Sequence, residues 1–261
     1  MKVISLQSGS NGNCFYVETD GVRLLFDAGI SGKQADLRLK ARGRNIRDVD
    51  ALFISHDHSD HIRAMGVFQR KFGMPVYLTR ATMQAAMRSR HNPGVMEKVN
   101  FFRGGHTVDF QGEQGTVHVH SVPTPHDAAD GVAFVVENHL GQRVGVLTDL
   151  GNVFEGLREV LQSLDAVIIE SNYCPEMLEY GPYPYHLKER IRGSGGHLSN
   201  NEVAKLLKET RGDRMKWACL CHLSEENNRP DVARRVHEEI LGDELPIYVA
   251  SRYQVSDIME L

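Results

Sequence analysis

Ser55-His56-Asp57-His58-Ser59-Asp60-His61 follows directly on the apolar run Ala51-Leu52-Phe53-Ile54 and brings three histidines and two aspartates into one short segment. On an extended chain alternate side chains share a face, so His56 and His58 point together. A turn into a following helix then aims Asp60 and His61 at a second point close by. Imidazole with carboxylate suits a borderline divalent cation, and ligands divided between two points suit a dinuclear site. The competing reading is a solvated polar turn; the strand in front and the spacing favour the metal.

On either side of this stretch, strand-like and helix-like runs interleave along the whole chain. VISLQ, CFYVE and VRLLFD read as strands from their β-branched and aromatic content, and ALFIS, PVYLT, TVHVHSV, GVAFVVE, RVGVLTD, DAVIIES, WACLC and PIYVA follow. Helices are expected over Gly32 to Ala41, His61 to Phe72, Ala81 to Ser89, Val153 to Ser163, Asn200 to Thr210 and Asp231 to Leu241, with Ser199 or Asn200 capping the fifth. No repeat, low-complexity tract or linker divides the chain. Early hairpins followed by alternating strands and helices predict two sheets covered by outer helices, a four-layer α/β arrangement in one domain spanning residues 1–261.

With 261 residues, 41% hydrophobic and 25% charged, the chain has enough apolar content for a proper core. The start, MKVISLQSGSNGNC, lacks a long apolar stretch, and no later run reaches the length of a membrane span. Four cysteines (Cys14, Cys174, Cys219, Cys221) are too few for a disulfide scaffold, and Cys14 reads as core. A cytoplasmic protein with no membrane partner is the expectation. The net charge of −4 excludes a globally basic nucleic-acid binder. Between Ile62 and Arg103, however, Arg63, Arg70, Lys71, Arg80, Arg88, Arg90, Lys98 and Arg103 face a single acid, Glu97. This is either a solvated helical surface or an anion-binding one.

The first motif resembles the HxHxDH signature of the metallo-β-lactamase superfamily, in which isolated His, Asp and His residues follow at strand ends. Counterparts are His126 in Pro123-Thr124-Pro125-His126-Asp127, Asp149 in Leu147-Thr148-Asp149-Leu150-Gly151, and His222 after Trp217 to Cys221. The resemblance implies the four-layer αββα sandwich of that family. It also implies a ligand set: His56, His58 and His126 for one ion, Asp60, His61 and His222 for the other, and Asp149 bridging both. Asp27, after Leu24-Leu25-Phe26, matches the family's early aspartate that steadies the metal loop. Five histidines and two aspartates without sulfur admit zinc, manganese or iron. His118 and His120 form a second HxH, but inside an alternating strand and without a following Asp-His, so they read as one face of a sheet.

Within the superfamily, His61 and the lack of a cysteine ligand argue against a true β-lactamase of the cysteine type. Ser8-Gly9-Ser10-Asn11-Gly12-Asn13, Gly196-His197-Leu198-Ser199-Asn200 and His222-Leu223-Ser224-Glu225-Glu226-Asn227-Asn228 resemble the YycJ/WalJ-like branch, end to end. That branch is related to ribonucleases Z and J and implies a 5′ exonuclease-like hydrolase of DNA or RNA. The interval between Asp149 and His222 is too short for the large inserted domain of ribonuclease J, and no glycine-rich arm of the ribonuclease Z kind is present. Recognition then falls to local surfaces: the basic stretch, and the Tyr173 to His186 loop, whose tyrosines either stack bases or pack on the core. The expected catalytic groups are Asp60 or Asp149, to orient the attacking water and take its proton, and His197, to donate a hydrogen bond to the phosphate or protonate the leaving oxygen without holding a metal. Substrate contacts are expected from Ser10, Asn11, Ser199, Asn227 and Arg63. The Ser8 to Asn13 turn either offers backbone N–H groups to phosphate or simply joins two strands. Alternatives are a thioester or lactone hydrolase with the same site, and a metal-stabilised module without catalysis.

Overall fold

A computed structural model describes residues 1–243 and 245–261. The first half runs β1 (Lys2–Gln7), β2 (Cys14–Thr19), β3 (Val22–Phe26), α1 (Gly32–Lys40), β4 (Ala51–Phe53), α2 (Ser59–Ile62), α3 (Met65–Phe72), β5 (Val76–Thr79), α4 (Arg80–Arg88) and β6 (Val99–Phe102). The second half runs β7 (Thr107–Gln111), β8 (Thr116–Pro123), β9 (Val132–Glu137), β10 (Arg143–Leu147), α5 (Leu157–Gln162), β11 (Ala166–Glu170), α6 (Pro175–Tyr180), α7 (Tyr185–Arg192), α8 (Asn200–Thr210), β12 (Trp217–Cys221), α9 (Pro230–Leu241), β13 (Ile247–Val249) and β14 (Met259–Glu260).

Two seven-stranded sheets result, ordered β14-β1-β2-β3-β4-β5-β6 and β13-β12-β11-β10-β9-β8-β7. Each passes from antiparallel hairpins to parallel strands, the change falling between β3 and β4 in one and between β10 and β11 in the other. The antiparallel members obey a period of two: β8 alternates buried valines with half-exposed His118 and His120. The parallel members β11 and β12 are buried along their full length, because helices cover their outer face. Between the sheets Phe26, Phe53 and Phe134 meet with ring centroids 5.2 to 5.6 Å apart, joined by Val117, Val136, Ile168 and Trp217. A second core lies between the first sheet and its helices, around Leu25, Leu52 and Phe68. A third lies beneath the helices of the second sheet, around Ile169, Leu207 and Leu220. These are the four layers expected.

The helix expected over His61 to Phe72 is two helices, and hydrogen bonding explains the break. Asp60 O accepts from Asn13 N at 2.8 Å, and Ala64 N donates to Ala28 O at 2.9 Å instead of closing a helical turn. The α2 segment is thereby stitched to the β1–β2 turn and to the chain after β3. Gly29 is the residue that permits this approach: a Cβ there would sit 1.6 Å from Asp60 O. The helix expected from Val153 starts only at Leu157, after Gly156 in a left-handed conformation. The Tyr173 to His186 segment, expected as a loop, contains α6 and the start of α7. Pro175 at the first turn of α6 is a start signal, but Gly181-Pro182-Tyr183-Pro184 interrupts any helical period across the pair. β6 and β7, also unanticipated, are short edge strands: β6 breaks the alternation, and β7 keeps it but buries no residue fully.

Candidate active site

Strand ends deliver the functional side chains to one cleft. Asp27 follows β3, His56 and His58 follow β4, Asp149 follows β10 and His222 follows β12. Asp27, Asp149 and His222 have φ of 65°, 53° and 52°, a left-handed region that few residues other than glycine adopt. Such conformations cost about 1 to 3 kcal/mol each and persist where surrounding structure enforces them. Each lies within two residues of the end of a buried strand, and its side chain reaches the clustered donors.

Their donor atoms converge in overlapping sets. His56, His58 and His126 form one, and Asp60, His61 and His222 another, with ligand atoms in each set within 4.8 Å of one another. Asp149 joins them: its Oδ2 lies 3.1 Å from His61 Nε2, and its Oδ1 3.7 Å from His126 Nε2 and 3.4 Å from His222 Nδ1. Asp60 Oδ2 is 3.2 Å from His222 Nε2.

A ring of hydrogen bonds holds this arrangement. Asp27 Oδ2 accepts from His61 Nδ1, while its Oδ1 accepts from Ser55 N at 2.8 Å and Ser55 Oγ at 2.9 Å. His126 Nδ1 donates to Gly196 O at 2.9 Å, leaving Nε2 toward the cleft. Asn13 Nδ2 reaches Asp60 Oδ2 at 3.2 Å, Asn172 Nδ2 donates to His222 O at 2.8 Å, and His222 N donates to Ser8 Oγ at 2.7 Å. Asp57 accepts from Ala129 N at 2.8 Å, tying the motif to the loop that carries His126. Asn172 does not stand out in the sequence, and although Ser8, Asn13, Ser55 and Asp57 lie in segments that do, their types are common in turns and do not reveal these bonds.

The electrostatics favour a bound cation. Burial, then the neighbouring His61, hold the His56 imidazole well below its ordinary value, so it is a neutral donor. Burial opposes ionisation of Asp60 and Asp149, yet the surrounding histidines, His61 and His222 foremost, keep both carboxyls well below the usual range. For His61, burial disfavours the proton, but Asp27, Asp149 and Asp60 together push it well above the ordinary histidine value. That excess of carboxylate calls for positive charge. His56 Nε2 and Asp149 Oδ2 are buried with no hydrogen-bond partner, an exception among buried polar atoms that coordination would remove. The donor set therefore fits divalent metal.

The cleft beside this cluster has a volume of about 280 Å³ and is lined by Ser10, Asn172, Tyr183, Arg190, His197 and Ser224 together with ligand-set residues. His197 Nδ1 donates to Glu170 Oε2 at 3.0 Å and lies 3.5 Å from Asp149 Oδ1. Glu170, fully buried at the end of β11, also accepts from Leu150 N at 2.8 Å. The sequence reading passed over it, although a carboxylate closing the apolar run Ala166-Val167-Ile168-Ile169 was the available signal.

Of the expected substrate contacts, Ser10 lines the cleft. Asn11 Nδ2 bonds to Arg252 O, and Arg63 Nη1 bonds to Asn11 O at 3.2 Å beside that turn. Ser199 is buried as the cap of α8 in a reciprocal capping box with Glu202, and Asn227 is buried with its side chain on Ser224 Oγ. In the basic stretch, Arg70 is tied to Pro93 O and Val95 O, Lys71 lies over the Phe72 ring, and Arg88 and Arg90 are exposed. The tyrosines divide: Tyr173 and Tyr183 pack into a small core with Leu178 and Ile191, whereas Tyr180 and Tyr185 are exposed. His118 pairs with Asp109 and His120 with Glu137 on the outer face of β8.

Comparison with known proteins places this geometry in a lineage. A family model described as the metallo-beta-lactamase superfamily matches residues 8–184. The chain is 34% identical to the exodeoxyribonuclease YycJ of Bacillus anthracis, over 97% of its own length and 93% of the relative's. It is 37% identical to the exodeoxyribonuclease WalJ of Streptococcus pneumoniae, over 87% of its own length and 83% of the relative's. The crystal structure of the metallo-beta-lactamase fold protein YhfI from Bacillus subtilis superposes with a TM-score of 0.70 at 16% identity, covering 98% of this chain and 99% of that one. Fold, end-to-end kinship and the histidine–aspartate cluster coincide, and the chain belongs to the metallo-β-lactamase superfamily.

Proposed function

We propose that this chain is a metal-dependent exonuclease that hydrolyses phosphodiester bonds of DNA. The convergence of seven histidine and aspartate donors on one cleft carries the hydrolase reading. Full-length kinship to relatives named exodeoxyribonuclease supports the substrate class. His56, His58 and His126 would hold one divalent ion, Asp60, His61 and His222 a second, and Asp149 both; zinc, manganese and iron all suit these donors. Bound there, such ions supply Lewis-acid activation of water and of the phosphoryl group.

The protein's own groups do the rest. Asp60 or Asp149, both held ionised, orients the attacking water and accepts its proton. His197 delivers a proton to the leaving oxygen: its Nδ1 is committed to Glu170, which leaves Nε2 for substrate. Burial disfavours the charged imidazole, but the Glu170 hydrogen bond and carboxylate raise its proton affinity above the ordinary histidine value. Assays of metal-replete protein on 5′-labelled DNA, 5′-labelled RNA and a thioester, with metal analysis alongside, test the reading. Two ions per chain and preferential release of nucleotides from DNA are expected. Thioester hydrolysis without DNA hydrolysis, or no transition metal bound near His56, His58 and Asp60, would overturn it.

A further inference from the structure

The cleft that must receive a polyanion is lined by Asp60, Asp127 and Asp149, and among the described residues lining it Arg190 is the single Lys or Arg. Arg190 lies near the end of α7, next to buried Ile191, which belongs to the small core shared by α6 and α7. Two hydrogen bonds tie this helix end and the loop after it to the active-site loops: His197 N donates to Ile191 O at 2.9 Å, and Asp127 N donates to Gly195 O at 3.0 Å. The guanidinium is held by one edge only, with Nε on Asp127 Oδ2 at 2.6 Å. Asp127 in turn backs onto the first ligand set, its Oδ1 being 3.5 Å from His126 Nε2 and 3.7 Å from His58 Nε2. Among the described residues neither terminal nitrogen of Arg190 has a hydrogen-bond partner, and the side chain is 59% exposed. A guanidinium oriented through Nε and open at its Nη groups presents the planar fork that matches a pair of phosphate oxygens.

We propose that Arg190 is a specificity-determining residue that grips a phosphate of the polynucleotide next to the scissile one, so that the site prefers a chain of phosphates over an isolated diester. The proposal rests on the nuclease reading above. Asp127 orients the guanidinium and offsets its charge when no substrate is bound. The basic stretch of α3 and α4 is not needed for this contact, because Arg190 comes from the opposite half of the chain.

The test compares Arg190→Gln, Arg190→Lys and Asp127→Asn with the parent protein, all metal-loaded, on a single-stranded DNA oligonucleotide and on bis(p-nitrophenyl) phosphate, which has one phosphate. For Arg190→Gln we expect KM on the oligonucleotide to rise at least tenfold, with a loss on the small diester at least tenfold smaller. The slope of log kcat/KM against log salt should become shallower by about 0.7, the share of one phosphate contact on a single strand. Arg190→Lys should recover part of the KM, and Asp127→Asn, which keeps the cation, should lose less than Arg190→Gln. Equal losses on both substrates, or equal losses from Arg190→Gln and Asp127→Asn, would show that the arginine only braces Asp127 and would overturn the proposal. An oligonucleotide KM and salt slope left unchanged in Arg190→Gln would do the same while leaving the nuclease reading intact. A parent protein that cleaves the small diester but no oligonucleotide would end both.

Discussion

Asp27 Oδ2 lies 2.6 Å from His61 Nδ1, and both side chains are buried. The contact fixes the imidazole so that Nε2 faces Asp149 and Asp60, and Ser55 locks the other carboxylate oxygen. Partners of this kind set ligand orientation and basicity. Asp27→Asn should therefore weaken metal binding by about 10- to 100-fold, seen as competition by a chelator at lower concentration. Undiminished affinity would mean that packing alone orients His61.

Gly29→Ala would drive a methyl group into backbone, 1.6 Å from Asp60 O and 2.5 Å from Asn13 N. Neither atom is the end of a flexible side chain, so the turn carrying Asp60 and His61 must move. The expected loss is roughly 3 kcal/mol of stability by urea unfolding, typical of overpacking at its severe end, together with reduced metal content. Parent-like stability and metal content would show that this turn can yield.

His197→Ala should retain the fold and the bound metal while turnover on DNA falls about 10²-fold or more, the usual scale of a lost general acid. Glu170→Gln should shift turnover in the same direction by less, because the imidazole stays but its partner's charge does not. Loss of metal from His197→Ala would reassign that histidine as a ligand.

His237, fully buried on α9 and not among the residues that line the cleft, gives the protein a pH-dependent stability. Its Nδ1 donates to Ala233 O at 2.9 Å, its Nε2 has no partner, and burial lowers its pKa from 6.5 to about 4. Between those values the unfolded chain binds a proton that the native protein does not. Stability is therefore fully present above about pH 6.5 and is lost as pH falls toward 4, by roughly 3 kcal/mol in all. His237→Leu should flatten that part of the profile in denaturant titrations run in parallel at each pH. Identical profiles for the two proteins would assign the acid sensitivity elsewhere.

Local chemistry is what the sequence alone determined. The run from Ser55 to His61 identifies a divalent-metal motif because ligand spacing is a property of one strand and one turn. Buried strands such as Ala166–Glu170 and Trp217–Cys221 are legible because continuous apolar runs need cover on both faces. The tertiary structure decided everything that depends on distant backbone. The split of the 61–72 helix follows from Asn13 and Ala28 capturing hydrogen bonds that helical periodicity assigns to the helix itself. The roles of Glu170, Asn13 and Arg190 could not be assigned in advance, even though Glu170 closes an apolar run and Asn13 ends the Ser8 to Asn13 turn. Their residue types are common, and their significance lies in facing His197, Asp60 and Asp127 across sequence separations that no local pattern records. Ser199 shows the converse: read locally, its serine suits either a helix cap or a substrate contact, and only the observed bond to Glu202 and its burial at the start of α8 show its hydroxyl engaged in the cap.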